Sequence, residues 1–130
     1  MTSRGLERLD GDACIALLRT HGLGRVGTRV GDEPLVLPVH YVVAGDDIVF
    51  RTDPGAKLIA AVLGTRVAFE VDDAQTWSVV VVGHARELRG SSPDTDEARR
   101  RLDEHWPAGE REHLVAVAIE KVTGRRLLAS

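Results

Sequence analysis

Polar and apolar residues alternate along most of this chain, and a period of two predicts strands more often than helices. In LGRVGTRV, residues 23–30, Val26, Thr28 and Val30 alternate with Arg25, Gly27 and Arg29, which predicts a strand with one buried face. LVLPVHYVVA, residues 35–44, predicts a second strand interrupted by Pro38. Proline has no N–H to give to a ladder, so Pro38 marks an edge or a bulge where another molecule can approach. The turn GDD leads into IVFRT, residues 48–52. RVAFEVD, residues 66–72, sets Val67, Phe69 and Val71 on one face. TWSVVVVGHARELRG, residues 76–90, predicts a long strand with a bend or bulge at Gly83. HLVAVAIEKVTGRRLL, residues 113–128, predicts one last long strand.

Helical spacing is confined to three short stretches. Ala13, Ile15, Leu17 and Leu18 follow the N-cap candidate Asp10 and stop at His21-Gly22. AKLIAAVL, residues 56–63, follows the turn Asp53-Pro54-Gly55 and ends at Gly64. The charged run SSPDTDEARRRLDEHW, residues 91–106, predicts a solvated helix capped by Ser92 or Asp94. Six strands with short connections and small helices predict a mainly β protein, an antiparallel barrel or sandwich.

Composition narrows this picture. A chain of 130 residues is expected to be a single domain, 1–130, with 43% apolar residues, enough for its own core. A net charge of −3 and an aromatic share of 4% speak against nucleic-acid binding, which needs a basic face and stacking platforms. Cys14 is the one cysteine, so no intrachain disulfide forms, and a cytoplasmic location is expected. No run approaches the ~18 apolar residues of a membrane helix, so no membrane partner is expected.

Of 17 basic residues only Lys57 and Lys121 are lysines. Lys57 follows the strand end FRTDPG, in the first turn of the helix read over 56–63. First-turn amides and the helix dipole favour an anion there, and Thr52 and Lys57 would each add a hydrogen bond to it. The plainer alternative is a strand-ending threonine and a solvated lysine. Arg51 points to the opposite face, toward a ligand edge, a neighbouring subunit or solvent. His40 and Tyr41 follow Pro38 on opposite strand faces, where a planar heterocycle could meet the backbone. Trp77-Ser78 and Trp106 stand at element edges, positions that cover core, an interface or a cofactor. The histidines show no metal-ligand spacing, and no Walker loop, GxGxxG or nucleophile elbow is present.

Taken in order, LGRVGT, PLVLPVHYVV, IVFRTDPGAKL, VAFEVDD, WSVVVVGHARE and VTGRRL resemble the flavin-binding family related to pyridoxamine 5′-phosphate oxidase, in its short bacterial branch. The resemblance covers residues 9 to 127. It implies a six-stranded antiparallel split β-barrel and a homodimer with flavin at the interface. Val39, His40 and Tyr41 match the strand along the isoalloxazine ring. Thr52 and Lys57 match phosphate-binding positions, with Arg51 alongside. Trp77 and Ser78 match a flavin-contacting segment commonly supplied by the partner subunit, and Trp106 and Arg125 match more loosely. The implied cofactor is FMN, with deazaflavin F420 or haem as alternatives. The implied activity is an FMN-dependent oxidoreductase for a small organic substrate, or else a non-catalytic cofactor-binding or sensing module. The Arg-x-His element of the longer oxidases is missing from TGRRLLAS, which argues against vitamin B6 oxidation.

Overall fold

The alternating segments close on one another. The computed structural model describes residues 5–52, 62–105 and 113–128. Its strands are β1 (Leu6–Leu9), β2 (Leu23–Val30), β3 (Glu33–Ala44), β4 (Asp47–Thr52), β5 (Arg66–Asp72), β6 (Trp77–Leu88), β7 (His113–Ala118) and β8 (Lys121–Leu127). The helices among the described residues are α1 (Gly11–Arg19) and α2 (Pro93–His105). All strand pairings are antiparallel, and they run β6-β5-β2-β3-β4-β7 and back to β6. Six strands therefore form a closed barrel, the mainly β split barrel that the family resemblance implies.

The single long strand expected over residues 113–128 is divided. β7 and β8 lie in succession along the same edge of β6, with Ala85 opposite Val117 but Val82 opposite Lys121. The register thus shifts by one residue across Ile119-Glu120, which is a bulge. Gly83 stands opposite this bulge, and a Cβ placed on it would come within 1.6 Å of the Ala118 carbonyl oxygen. Only glycine allows that approach. Glu120 closes the irregularity, because its Oε2 accepts the His84 backbone N–H at 2.9 Å. β1, unforeseen from sequence, adds a short ribbon on the free edge of β8, from Leu6 opposite Leu127 to Leu9 opposite Gly124.

The barrel interior holds Val26, Tyr41, Ile48, Phe50, Phe69, Val79, Val81, Val115 and Val117, all buried. Phe69 sits between the other two rings, edge-on to Tyr41 at 5.1 Å and stacked on Phe50 at 6.1 Å. α1 begins at Asp10, whose carboxylate accepts the Ala13 N–H at 2.8 Å, and it buries Cys14 and Leu18 in the same core. α2 is capped by Ser92, whose hydroxyl accepts the Thr95 N–H at 3.1 Å. It lays Ala98 and Leu102 on Val42, Val49, Leu114 and Ala116, the outward side chains of β3, β4 and β7. Burying Leu102 contributes about 1.5–3 kcal/mol. α2 thereby fixes the outer wall of the strands that carry the site.

Candidate functional site

β3 changes partner midway. Glu33–His40 pair with β2, whereas Tyr41–Ala44 pair with β4. β4 in turn pairs with β3 only as far as Phe50, and Arg51 and Thr52 continue against β7 alone. The two strands therefore part at one end of the barrel, and Val39, His40, Arg51 and Thr52 flank the opening. Pro38 lies in the part of β3 paired on one side only, the edge position its missing N–H predicts.

Thr52 shares the inward face of Ile48 and Phe50 and is 6% exposed. Its Oγ1 is buried without a hydrogen-bond partner among the described residues. A hydroxyl left so costs about 1–3 kcal/mol, and such groups are rare in native structures. An incoming acceptor satisfies it. Arg51, on the outer face, donates to the Arg99 carbonyl at 3.2 Å and pairs with Asp103, so α2 already holds it. Lys57 and Trp106, and most of the helix read over 56–63, lie outside the described residues.

The residues of the β3 break separate by face. His40 is exposed and Val39 half-buried against the core. Tyr41 is 1% exposed, with its hydroxyl donating to the Leu18 carbonyl at 2.7 Å. Burial raises its pKa far above the usual phenol value. Its side chain belongs to the core, and its hydroxyl is not open to donate a proton to a substrate.

Trp77 and Ser78 begin β6. The Trp77 ring meets His21 edge-on at 4.7 Å, and Ser78 lies between Asp72 and Arg125 across the sheet. The preceding turn is organised by Asp73, which accepts N–H groups from Gln75, Thr76 and Trp77 and the Thr76 hydroxyl. These donors, the hydroxyl above all, hold its carboxyl well below the ordinary range. A groove of about 310 Å³ runs past Glu70, Asp72, Gln75, Trp77, Ser78 and Arg125. Arg25 reaches both carboxylates of β5, at 3.2 Å to Glu70 and 3.2 Å to Asp72. Desolvation and the neighbouring Asp72 push Glu70 up to about 7.

Thr52 and Trp77 lie near opposite ends of β6. Thr52 faces His113 and Leu114 faces Leu88, so Thr52 is near the C-terminal end of β6 while Trp77 opens the strand. At ~3.3 Å per residue this is roughly 35 Å along the strand. Within one chain Thr52 and Trp77 therefore stay apart, whereas Trp77 nears the β3 break through His21, whose neighbour Gly22 accepts the Tyr41 N–H at 3.0 Å.

Two features escaped the sequence reading. The Arg25–Glu70–Asp72 cluster was signalled only by the carboxylates of FEVD, two apart on one strand face. The other joins His113 Nδ1 to Glu87 Oε2 at 2.7 Å, with Arg89 on the same carboxylate at 3.1 Å. His113 and Glu87 are 26 residues apart and meet only through the register of β6 on β7. Among the described residues, no group of three His, Cys, Asp or Glu side chains is placed to hold a metal, and no helix is long and apolar enough to cross a membrane.

Residues 10–126 match the family model described as pyridoxamine 5′-phosphate oxidase. The chain is 33% identical to the uncharacterized protein Rv0080 of Mycobacterium tuberculosis, covering 98% of this chain and 90% of that one. It is similar in structure to the FAD binding protein from Mycobacterium smegmatis, with 35% identity, a TM-score of 0.75, and coverage of 92% and 96% of the two chains. An FAD-binding protein from Mesorhizobium loti aligns with a TM-score of 0.79 at 25% identity, covering 95% of this chain and 98% of that one.

Proposed function

Since the chain belongs to the pyridoxamine 5′-phosphate oxidase family, we propose that it is a flavin-binding protein and works as a flavin-dependent oxidoreductase on a small organic molecule. The observation that carries this reading is the buried, unpartnered hydroxyl of Thr52 at the parting of β3 and β4. It fits the phosphate on the ribityl chain, an acceptor-rich anion. The family resemblance implies FMN, two of the similar structures are of FAD-binding proteins, and that phosphate is common to both cofactors.

In this reading Thr52 and Lys57 hold the phosphate, and the backbone of Val39–Tyr41 runs along the ring. Arg51, tied to α2, steadies the end of β4. Trp77 and Ser78 come from a second copy, because a single chain keeps them at the far end of β6. The protein is accordingly a homodimer with two cofactor sites between its chains. Bound flavin supplies hydride or electron-pair transfer, while the protein fixes the ring and tunes it through hydrogen bonds.

Purified protein is expected to carry a flavin absorption spectrum or to acquire one on titration, and the mass of the released cofactor identifies it. Thr52→Val should weaken flavin binding about tenfold, the loss of one charge-assisted hydrogen bond. Unchanged affinity removes Thr52 from the site. A carrier without turnover is the competing reading, favoured by the engagement of the Tyr41 hydroxyl within the core. Reduction by NAD(P)H followed by reoxidation with organic acceptors decides between the two.

A further inference from the structure

Across the barrel end from Thr52 stands a residue that the cofactor reading does not use. His113 is the direct cross-strand partner of Thr52, so both side chains leave the β4–β7 pair on the same face. Glu87 joins that face from β6, since it pairs with Val115 while Val115 pairs with Phe50. The His113 imidazole is bound through Nδ1 to Glu87, and Glu87 is braced by Arg89. The bond from His113, ahead of the one from Arg89, holds the Glu87 carboxyl below its ordinary range. A carboxylate on Nδ1 fixes the orientation of the ring, so that in the protonated imidazole Nε2–H is left as a donor. The charged groups facing His113 from the adjoining described elements are Glu87 and, beyond the end of β6, Arg89. β4 contributes the neutral Thr52, and Arg51 is turned to α2.

A buried hydroxyl without a partner and a carboxylate-oriented imidazole therefore sit side by side. We propose that His113 is a second donor to the anion that Thr52 receives, so that the corner binds a phosphate group through an imidazolium as well as a hydroxyl. The proposal rests on the Thr52 reading above and adds a regulation to it. Affinity for the phosphate is highest while His113 is protonated and is lost as pH rises through its titration.

The test compares FMN with riboflavin, which lacks the phosphate, by flavin fluorescence on wild-type protein and His113→Gln from about pH 5 to about pH 8, where imidazoles ordinarily titrate. Because the FMN phosphate also titrates in this span, the ratio of the two proteins at each pH isolates the histidine. We expect His113→Gln to weaken FMN about tenfold at the acid end and hardly at all at the alkaline end, with riboflavin unaffected. Parallel FMN profiles for the two proteins, or an equal loss for riboflavin, overturn the proposal. Should wild-type protein bind neither flavin, the flavin reading fails, and inorganic phosphate still decides on His113. Phosphate should then raise the NMR titration midpoint of His113 in wild-type protein and not in Thr52→Val. A midpoint that does not move in wild type refutes the assignment.

Discussion

Thr52 shows how one atom can weaken a fold and equip a site together. Its hydroxyl gives up water on folding and gains no partner among the described residues. Replacing it with valine keeps the shape of the side chain and removes the unmet group. Thr52→Val should therefore stabilise the flavin-free protein by about 1 kcal/mol in a denaturant or thermal melt. A destabilised variant would mean that the hydroxyl is bonded after all. Glu70 gives a second prediction, with the opposite sign from most carboxylates. Its pKa rises on folding from 4.5 to about 7, so between those values the folded chain holds more protons than the unfolded one. Its contribution favours folding most at acid pH and fades as pH climbs toward about 7. Glu70→Gln, fixed in the uncharged form, should raise the melting temperature at pH ~8 and change it little at pH ~4. A uniform shift across that range would show that Glu70 does not titrate as assigned.

Among the elements, β6 organises the barrel, and Gly83 is the point on which it turns. Gly83→Ala would drive a methyl group into the Ala118 carbonyl, against backbone that cannot swing aside. We expect a loss of at least about 3 kcal/mol, seen as a collapsed melting temperature or insoluble protein. Gly27→Ala is the control, since its added Cβ would meet nothing nearer than 3.9 Å. A stable Gly83→Ala would show the bulge to be plastic. The sequence announced a bend at Gly83 through the lone glycine in a valine run. It did not announce the break at Ile119-Glu120, because alternation on either side is uninterrupted and the extra residue shows only against the partner's register. β1 was illegible for another reason. Of LERL only Leu9 is buried, too little to leave a period.

For the whole molecule, the strands and the helices α1 and α2 were legible because burial and capping leave their pattern on the sequence, whereas closure into a barrel rather than a sandwich was implied only by the family resemblance. The site was legible only where a residue's neighbours in sequence are also its neighbours in space. Thr52 at its strand end and Pro38 on its edge meet that condition, whereas His113 with Glu87 does not. Arg51 illustrates the limit. Its place in FRTDPG left open a ligand edge, a neighbouring subunit or solvent, and the arrival of α2, a distant segment, gives it Asp103.

The separation of Thr52 and Trp77 along β6 has a genetic consequence. In the homodimer we propose, each cradle would take its threonine from one chain and its tryptophan from the other. A population of Thr52→Val chains and a population of Trp77→Ala chains should both bind flavin poorly when kept apart. Unfolded and refolded together, they should form hybrids with one doubly crippled cradle and one entirely wild-type cradle. Those hybrids should regain full affinity at a stoichiometry of one flavin for every two chains, and the two defects would complement each other within a single particle.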